Sequence, residues 1–364
     1  MTSKLVDGLI TISSAEGRHV KRPFSFIFTK YFLSILVLGQ ILSLMIVSTN
    51  TFSQLLANRA DDIPTFQSLF NYVVLALIYT TTSIYKMGLG KWSGMIRDRG
   101  WKYFALAFVD VEANYFVVKS YKYTTLLSCQ LLDALAIVTV VVLSFLFFKV
   151  RYHWTKILGI VVCLGGLGML VLSDFLTGKD SPGLDKVKGD LFMILGASLY
   201  GITNVFEEFF VSKAPIYEVL GQLGLYGAIV NGIQVAILER DQLNNVRWDG
   251  KMGGYLVGFN ISMGILYSGT PILLRMSSAV FYNLSLLSSD FWGLVVGTQL
   301  FGYNLYWLYV ISFILVIGGI VLYYAVERNI KGEAEKPWLG RKEGVVGVGT
   351  YRQCLLVRDP EIEV

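Results

Sequence analysis

Histidine, cysteine and charge are all scarce in this chain. Its 364 residues include 2 histidines and 3 cysteines, and 16% are charged. His19 and His153 lie outside every long apolar run and no His-Glu-x-x-His spacing occurs, which excludes a zinc protease of that type. Cys129, Cys163 and Cys354 are too few and too dispersed to build a disulfide framework. An intramembrane aspartyl protease needs two converging aspartates. Asp133 and Asp290 could supply them, but no glycine signature surrounds either. With 54% hydrophobic residues, the chain would aggregate as a water-soluble protein.

What the chain has instead is ten apolar stretches, at 28–49, 67–86, 102–119, 124–148, 154–174, 189–211, 217–238, 253–274, 277–301 and 304–326. A run of about 18 or more apolar residues reads as a membrane-spanning helix, because a helix rises about 1.5 Å per residue and the hydrocarbon core is about 30 Å thick. The runs are too long and too uniformly apolar for the alternating strands of a membrane barrel. The expected fold is therefore all-α, a polytopic protein of ten transmembrane helices. The first span is too extended, and follows too long a polar segment, for a cleaved signal peptide. The sequons at Asn260 and Asn283 fall inside spans, beyond the reach of glycosylation.

Basic residues set the orientation. With the N-terminus cytosolic, the inner flanks hold about twice as many as the outer ones. They include Arg18, Lys21, Arg22, Lys91, Arg97, Arg99, Lys149, Arg151, Arg328 and Lys331, against Arg59, Lys122, Lys179, Arg240 and Lys251 outside. An even number of spans puts both termini in the cytosol, and the net charge of +5 follows from topology without a nucleic-acid partner. The spans divide into two fives: a first repeat at 28–174, a loop at 175–188 and a second repeat at 189–326. Polar, loosely ordered tails are expected at 1–27 and 327–364. Faint self-similarity supports the division. Ile35-Leu-Val-Leu-Gly39 is echoed by Phe192-Met-Ile-Leu-Gly196, and at the same offset Leu127, Ser128 and Asp133 match Leu284, Ser285 and Asp290. An odd number of helices per repeat inserts the second copy upside down, the arrangement that lets two halves rock about a central site. Glycine, at 36 residues, permits close helix packing. Gly254-x-x-x-Gly258 and Gly293-x-x-x-Gly297 also offer faces for a homodimer.

The charged minority inside the spans carries the functional signal. Asp110, Glu112, Asp133, Glu207, Glu208 and Asp290 lie there, with Lys119 near a helix end. Facing lipid, six such groups would cost roughly 15–20 kcal/mol, so they must face a wet cavity or one another. Helical phase places Glu112, Tyr115 and Lys119 on one face with Asp110 and Asn114 flanking, Gln130 with Asp133, Asn204 with Glu207 and Glu208, and Asn283 with Asp290. Tyr121 fits an interfacial aromatic belt or a cavity wall. An acidic interior with almost no lysine or arginine at mid-depth suits a neutral or cationic solute, or proton coupling. Tyrosines such as Tyr115, Tyr200, Tyr267 and Tyr282 could stack on a ring.

Several stretches resemble the F-type members of solute carrier family 35, in the drug/metabolite transporter superfamily. They are Leu38-Gly-Gln-Ile-Leu-Ser-Leu44, Asp110-Val-Glu-Ala-Asn-Tyr115, Tyr121-Lys-Tyr-Thr-Thr-Leu126, Gln130-Leu-Leu-Asp133, Leu195-Gly-Ala-Ser-Leu-Tyr200 and Asn204-Val-Phe-Glu-Glu-Phe209. The resemblance covers about residues 30–326 and implies ten helices, an inverted repeat and solute transport. One departure is the absence of the family's usual proline after Gln-Leu-Leu-Asp, where this chain has Ile137-Val138. The expected solute-binding set is Gln40, Glu112, Asn114, Tyr115, Tyr121, Gln130, Asp133, Asn204, Glu207, Glu208, Tyr267, Asn283 and Asp290. The expected activity is alternating-access transport of a small polar solute, nucleoside-, nucleobase- or amine-like, with no cofactor beyond a coupled proton. Nucleotide-sugar antiport in the Golgi or endoplasmic reticulum is the alternative, followed by a channel or a non-transporting scaffold. Plasma membrane, Golgi, endoplasmic reticulum and vacuole all stay open as locations.

Overall fold

The computed structural model describes residues 30–59, 63–123, 129, 132–133, 135–148, 153–176, 186–246 and 248–300, with isolated helical positions between 307 and 323. Every regular element among them is helical. In chain order these are α1 (Lys30–Ala57), α2 (Pro64–Met87), α3 (Leu89–Ser120), α4 (Leu135–Phe148), α5 (Trp154–Leu176), α6 (Lys186–Lys213), α7 (Ile216–Leu238), α8 (Gly250–Met276) and α9 (Ala279–Leu300). A short helix, Arg240–Asn245, joins α7 to α8, and α9 is interrupted by a turn at Leu287.

Among the described residues, six helices are long and apolar enough to cross a membrane: α1, α2, α6, α7, α8 and α9. The protein is thus an integral, multi-pass membrane protein. α3 is not among the six because Asp110, Glu112 and Lys119 interrupt its apolar part, although at 32 residues it has ample length. It starts well before the expected span, at Leu89, because Gly88 with φ 79° makes the tight turn that ends α2. α4 runs unbroken from Leu135, through the Ile137-Val138 departure. Gln130, most of 304–326 and both tails lie outside the described residues.

The core is apolar, as in a soluble protein, but so is much of the surface. Large apolar side chains such as Leu77, Ile229, Ile233, Ile237, Val257 and Ile261 are exposed, whereas Asn71, Asn114, Gln222 and Asn231 are buried. Helices in lipid gain little from apolar contact with one another, so close approach and polar contacts hold them. Glycine supplies the approach. A Cβ at Gly221, Gly224 or Gly227 of α7 would run into Tyr79, Ala76 and Tyr72 of α2 respectively. The part of α2 pressed there is a π turn, Ala76–Thr80, and Thr80 donates to the Gly221 carbonyl at 2.8 Å. Elsewhere Gly196 of α6 meets α3, Gly201 of α6 meets α4, Gly258 and Gly269 of α8 meet α1, and Gly159 of α5 meets the backbone at Gly319 and Tyr323. Gly258 therefore faces Phe52 of its own chain, and Gly254 faces open space.

The helices pack across the two halves of the sequence: α3 on α6, α8 on α1, α2 on α7, α4 on α6 and α9 on α1. At one end of the bundle, Arg59 pairs with Asp249 at 2.9 Å, tying the loop after α1 to the start of α8. The Met252 N–H and that arginine hold the Asp249 carboxyl below its usual range. Its contribution is therefore complete above the ordinary carboxylate value and disappears as pH falls through the lowered one. Nearby, Glu239 accepts from the Thr65 and Phe66 N–H groups at 2.7 and 2.8 Å, satisfying the first turn of α2.

A backbone contact cannot retreat as a side chain can. Gly224→Ala is expected to destabilise the detergent-solubilised protein by about 1–3 kcal/mol, whereas Gly254→Ala leaves thermal unfolding unchanged or slightly raised. Equal unfolding temperatures for the two variants would contradict the α2–α7 packing.

Candidate functional site

The chamber at the centre of the bundle draws on six helices. α1 contributes Thr49, Asn50 and Ser53; α3 contributes Asp110, Val117 and Tyr121, the last just past its end; α4 and the residues before it contribute Asp133 and Ala136. α6 adds Tyr200, Asn204 and Glu207, α8 adds Tyr267 and Thr270, and α9 adds Tyr282 and Asn283. Its free volume is about 80 Å³, and since roughly 10–15 Å³ admits one water, several fit.

Three carboxyl groups line this chamber, Asp110, Asp133 and Glu207, and no lysine or arginine does among the described residues. Asp110 is the most elaborately held. Tyr72 of α2 and Tyr267 of α8 both donate to its Oδ2 at 2.8 Å, their hydroxyls are 3.3 Å apart and their rings meet edge to face at 5.9 Å. Tyr72 reaches this point because Gly227 leaves room for its ring. Asn204 donates to Asn283 Oδ1 at 3.3 Å, linking α6 to α9, and Thr270 donates to the Tyr282 hydroxyl at 3.1 Å. The wall therefore sets three carboxyls, tyrosines and amides among apolar side chains such as Met193, Phe259, Met263 and Leu266. It can hydrogen-bond hydroxyls and amines, stack on a flat ring and neutralise positive charge.

Of the residues expected to bind solute, Tyr121, Asp133, Asn204, Glu207, Tyr267 and Asn283 come together in this wall. The others are placed elsewhere. Gln40 sits in the α1–α9 seam, where it donates to Ser288 at 2.9 Å and accepts from Trp292 at 3.3 Å. Ser43 completes that seam by donating to the Ser285 carbonyl at 2.8 Å. Glu112 accepts a hydrogen bond from Gln234 of α7. Glu208 accepts from the Ala279 N–H at 2.9 Å and so satisfies the start of α9. Tyr115 stacks edge to face on Phe116 and carries Lys119 over its ring. Asn114 and Asp290 are buried and do not themselves line the chamber, Asp290 lying within electrostatic reach of Asp133 and Tyr121, which do, and Gln130 lies outside the described residues.

Asp110, Tyr200, Thr270 and Tyr282 line the chamber without having been in the expected set. The signal for Asp110 was present. Asp110, Val117 and Tyr121 recur at i, i+7 and i+11 along one stripe of α3, whereas Glu112 points about 200° away from Asp110 by helical phase, toward α7.

Because Tyr72 and Tyr267 share one acceptor, their hydroxyls should couple. Tyr72→Phe and Tyr267→Phe are each expected to cost roughly 0.5–1.5 kcal/mol in unfolding free energy. The double variant should exceed the sum by about 0.5 kcal/mol or more. Strict additivity would show that the two tyrosines act apart.

Comparison with known proteins agrees with this architecture. The sequence profile of solute carrier family 35 matches residues 28–325. A solute carrier family 35 member of Schizosaccharomyces pombe is 50% identical over 338 residues, covering 93% of this chain and 66% of that protein, so this chain spans about two thirds of that relative's length. The mouse protein named solute carrier family 35 member F2 is 39% identical over 309 residues, 84% of this chain and 82% of its own. A crystal structure at 15% identity superposes with a TM-score of 0.58 over 79% of this chain and 96% of its own, a likeness of fold. With a profile that spans nearly all the apolar region and relatives this similar over most of their length, the chain belongs to solute carrier family 35.

Proposed function

We propose that the protein is a secondary-active carrier of a small polar organic solute, nucleoside-, nucleobase- or amine-like, working by alternating access around the Asp110–Asp133–Glu207 chamber. The observation that carries this reading is the charge of the wall: three carboxyls, four tyrosines and, among its described residues, no lysine or arginine. A diphosphate is recognised by cations, above all the fork of arginine, and this wall would repel it. That favours an amine or a neutral ring over a nucleotide sugar. Asp110, Asp133 and Glu207 are assigned to charge and hydrogen bonding, Asn204 and Asn283 to ring edges, and Tyr121, Tyr200, Tyr267 and Tyr282 to stacking.

Alternating access rests on ten helices in two inverted repeats, 28–174 and 189–326. Helix packing supports the repeat. Relating each helix to the one five positions later turns α3 on α6 into α8 on α1, turns α4 on α6 into α9 on α1, and returns α2 on α7 to itself. A two-fold axis in the membrane plane would produce these pairings. Both termini are assigned to the cytosol from the basic flanks.

The test is a thermal-shift panel on the purified full chain with nucleosides, nucleobases, ring-bearing amines and nucleotide sugars. Amines or nucleosides should stabilise it, and Glu207→Gln or Asp133→Asn should weaken amine binding about tenfold. Stabilisation by nucleotide sugars alone, indifferent to both substitutions, would retire the reading in favour of nucleotide-sugar antiport.

A further inference from the structure

Charge at the α2–α3 end of the bundle is one-sided. Lys86 ends α2, and Lys91, Arg97, Arg99 and Lys102 follow in the first half of α3, with Asp98 as the acid among them. All are exposed, and none of the five cations takes part in an ion pair among the described residues. Basic residues flanking a span serve membrane topology by themselves. The aromatic side chains beside these do not follow from topology.

α3 turns one face to α7, where Gly100 lies against the Tyr226 hydroxyl and Tyr103 donates to Glu218 at 2.7 Å. By helical phase the opposite face carries Arg97, Trp101, Phe104 and Phe108 at i, i+4, i+7 and i+11. All four are exposed, Trp101 to 69%. The Phe104 and Phe108 rings stack at 6.3 Å, and the Lys102 ammonium stands 5.7 Å from the centre of the Trp101 ring. Glu218 belongs to the first turn of α7, which puts this part of α3 close to a membrane boundary. From that boundary inward the stripe reads cation, indole, phenyl, phenyl. Trp101 and Phe108 are about 10 Å apart along the helix, so an indole at headgroup level leaves the phenyl rings in hydrocarbon.

A free phosphate would use the cations and leave the rings idle, and a zwitterionic lipid would use the rings and leave the charge unmet. A lipid with a net negative headgroup uses both. We propose that this face of α3 binds an acidic phospholipid of the cytosolic leaflet, its phosphate on Arg97 and Lys102, its glycerol region on Trp101 and an acyl chain along Phe104 and Phe108. Lys86, Lys91 and Arg99 add attraction over about 10 Å, the screening length at 0.1 M salt. The choice of leaflet rests on the cytosolic assignment of the termini; the contact itself does not.

The test is native mass spectrometry of the detergent-purified full chain with dioctanoyl phosphatidylinositol 4-phosphate, dioctanoyl phosphatidylcholine and inositol 1,4-bisphosphate. The acidic lipid is expected to stay bound and the other two are not. Each lost charge should weaken binding about fivefold, so Arg97→Gln with Lys102→Gln together should weaken it roughly 25-fold. Trp101→Ala should also weaken it, whereas Lys251→Gln, at the opposite end of the bundle, should not. Both cations are exposed, so the double variant should unfold without lipid at the temperature of the parent. Equal retention of phosphatidylcholine, inositol bisphosphate binding as tightly as the lipid, or full binding by the double variant overturns the proposal. Ser93→Cys in a Cys354→Ser background fixes the leaflet, since an impermeant maleimide should reach it from the cytosolic side alone. Labelling from outside would overturn the orientation and the leaflet together and leave the contact measured in detergent intact.

Discussion

Acidic side chains sealed in a low-dielectric interior need hydrogen-bond donors, a proton or a cation, and the centre of this protein is organised around that need. Asp110 receives two tyrosyl hydroxyls on a single oxygen, Glu208 receives a helix N–H, and Glu112 receives the amide of Gln234. Each of these acids ties its helix to another, so the acids serve as the polar fastenings of a bundle whose apolar surface gains little from helix contact. Asp133 and Glu207 face the chamber, and Asp110 does both. The acids thus divide between fastening helices and lining the chamber, with Asp110 in both groups.

Glycine makes the division workable. Tyr72 reaches Asp110 across the bundle because α7 has no side chain at Gly227, and α2 bends through a π turn where Gly221 and Gly224 admit its backbone. Such a turn re-aims the residues that follow it and often marks functional positions. The same helix carries Tyr72 just before that turn, so the close packing against α7 and the fastening of Asp110 of α3 draw on one stretch of α2.

The mixture of readings is instructive about helical phase. The expected spans match the helices at 67–86, 154–174 and 217–238 closely, because an apolar run of about 20 residues has one stable form in lipid. α3 was harder to place. Its acids at 110 and 112 point to different neighbours, and one sequence cannot say which face of a helix meets the axis of the bundle. The expected set took Glu112 and Tyr115 from this helix and left out Asp110, whereas the stripe through Asp110 and Tyr121 forms the chamber wall and Glu112 bonds Gln234 of α7. Gln40 and Glu208 were similarly recognised as polar groups within spans, and their partners, Ser288 and the start of α9, lie far away in sequence.

The amino-acid sequence by itself determined that this chain lies within a membrane as helices, that acids are buried in them and that the interior is poor in basic groups, because composition and run length fix those properties locally. Which acids meet in one chamber and which fasten helices was decided only by the tertiary structure. A rotation of about 100° separates successive side chains on a helix, and only packing against particular neighbours, such as the glycines of α7 and α8, selects the rotation each helix adopts.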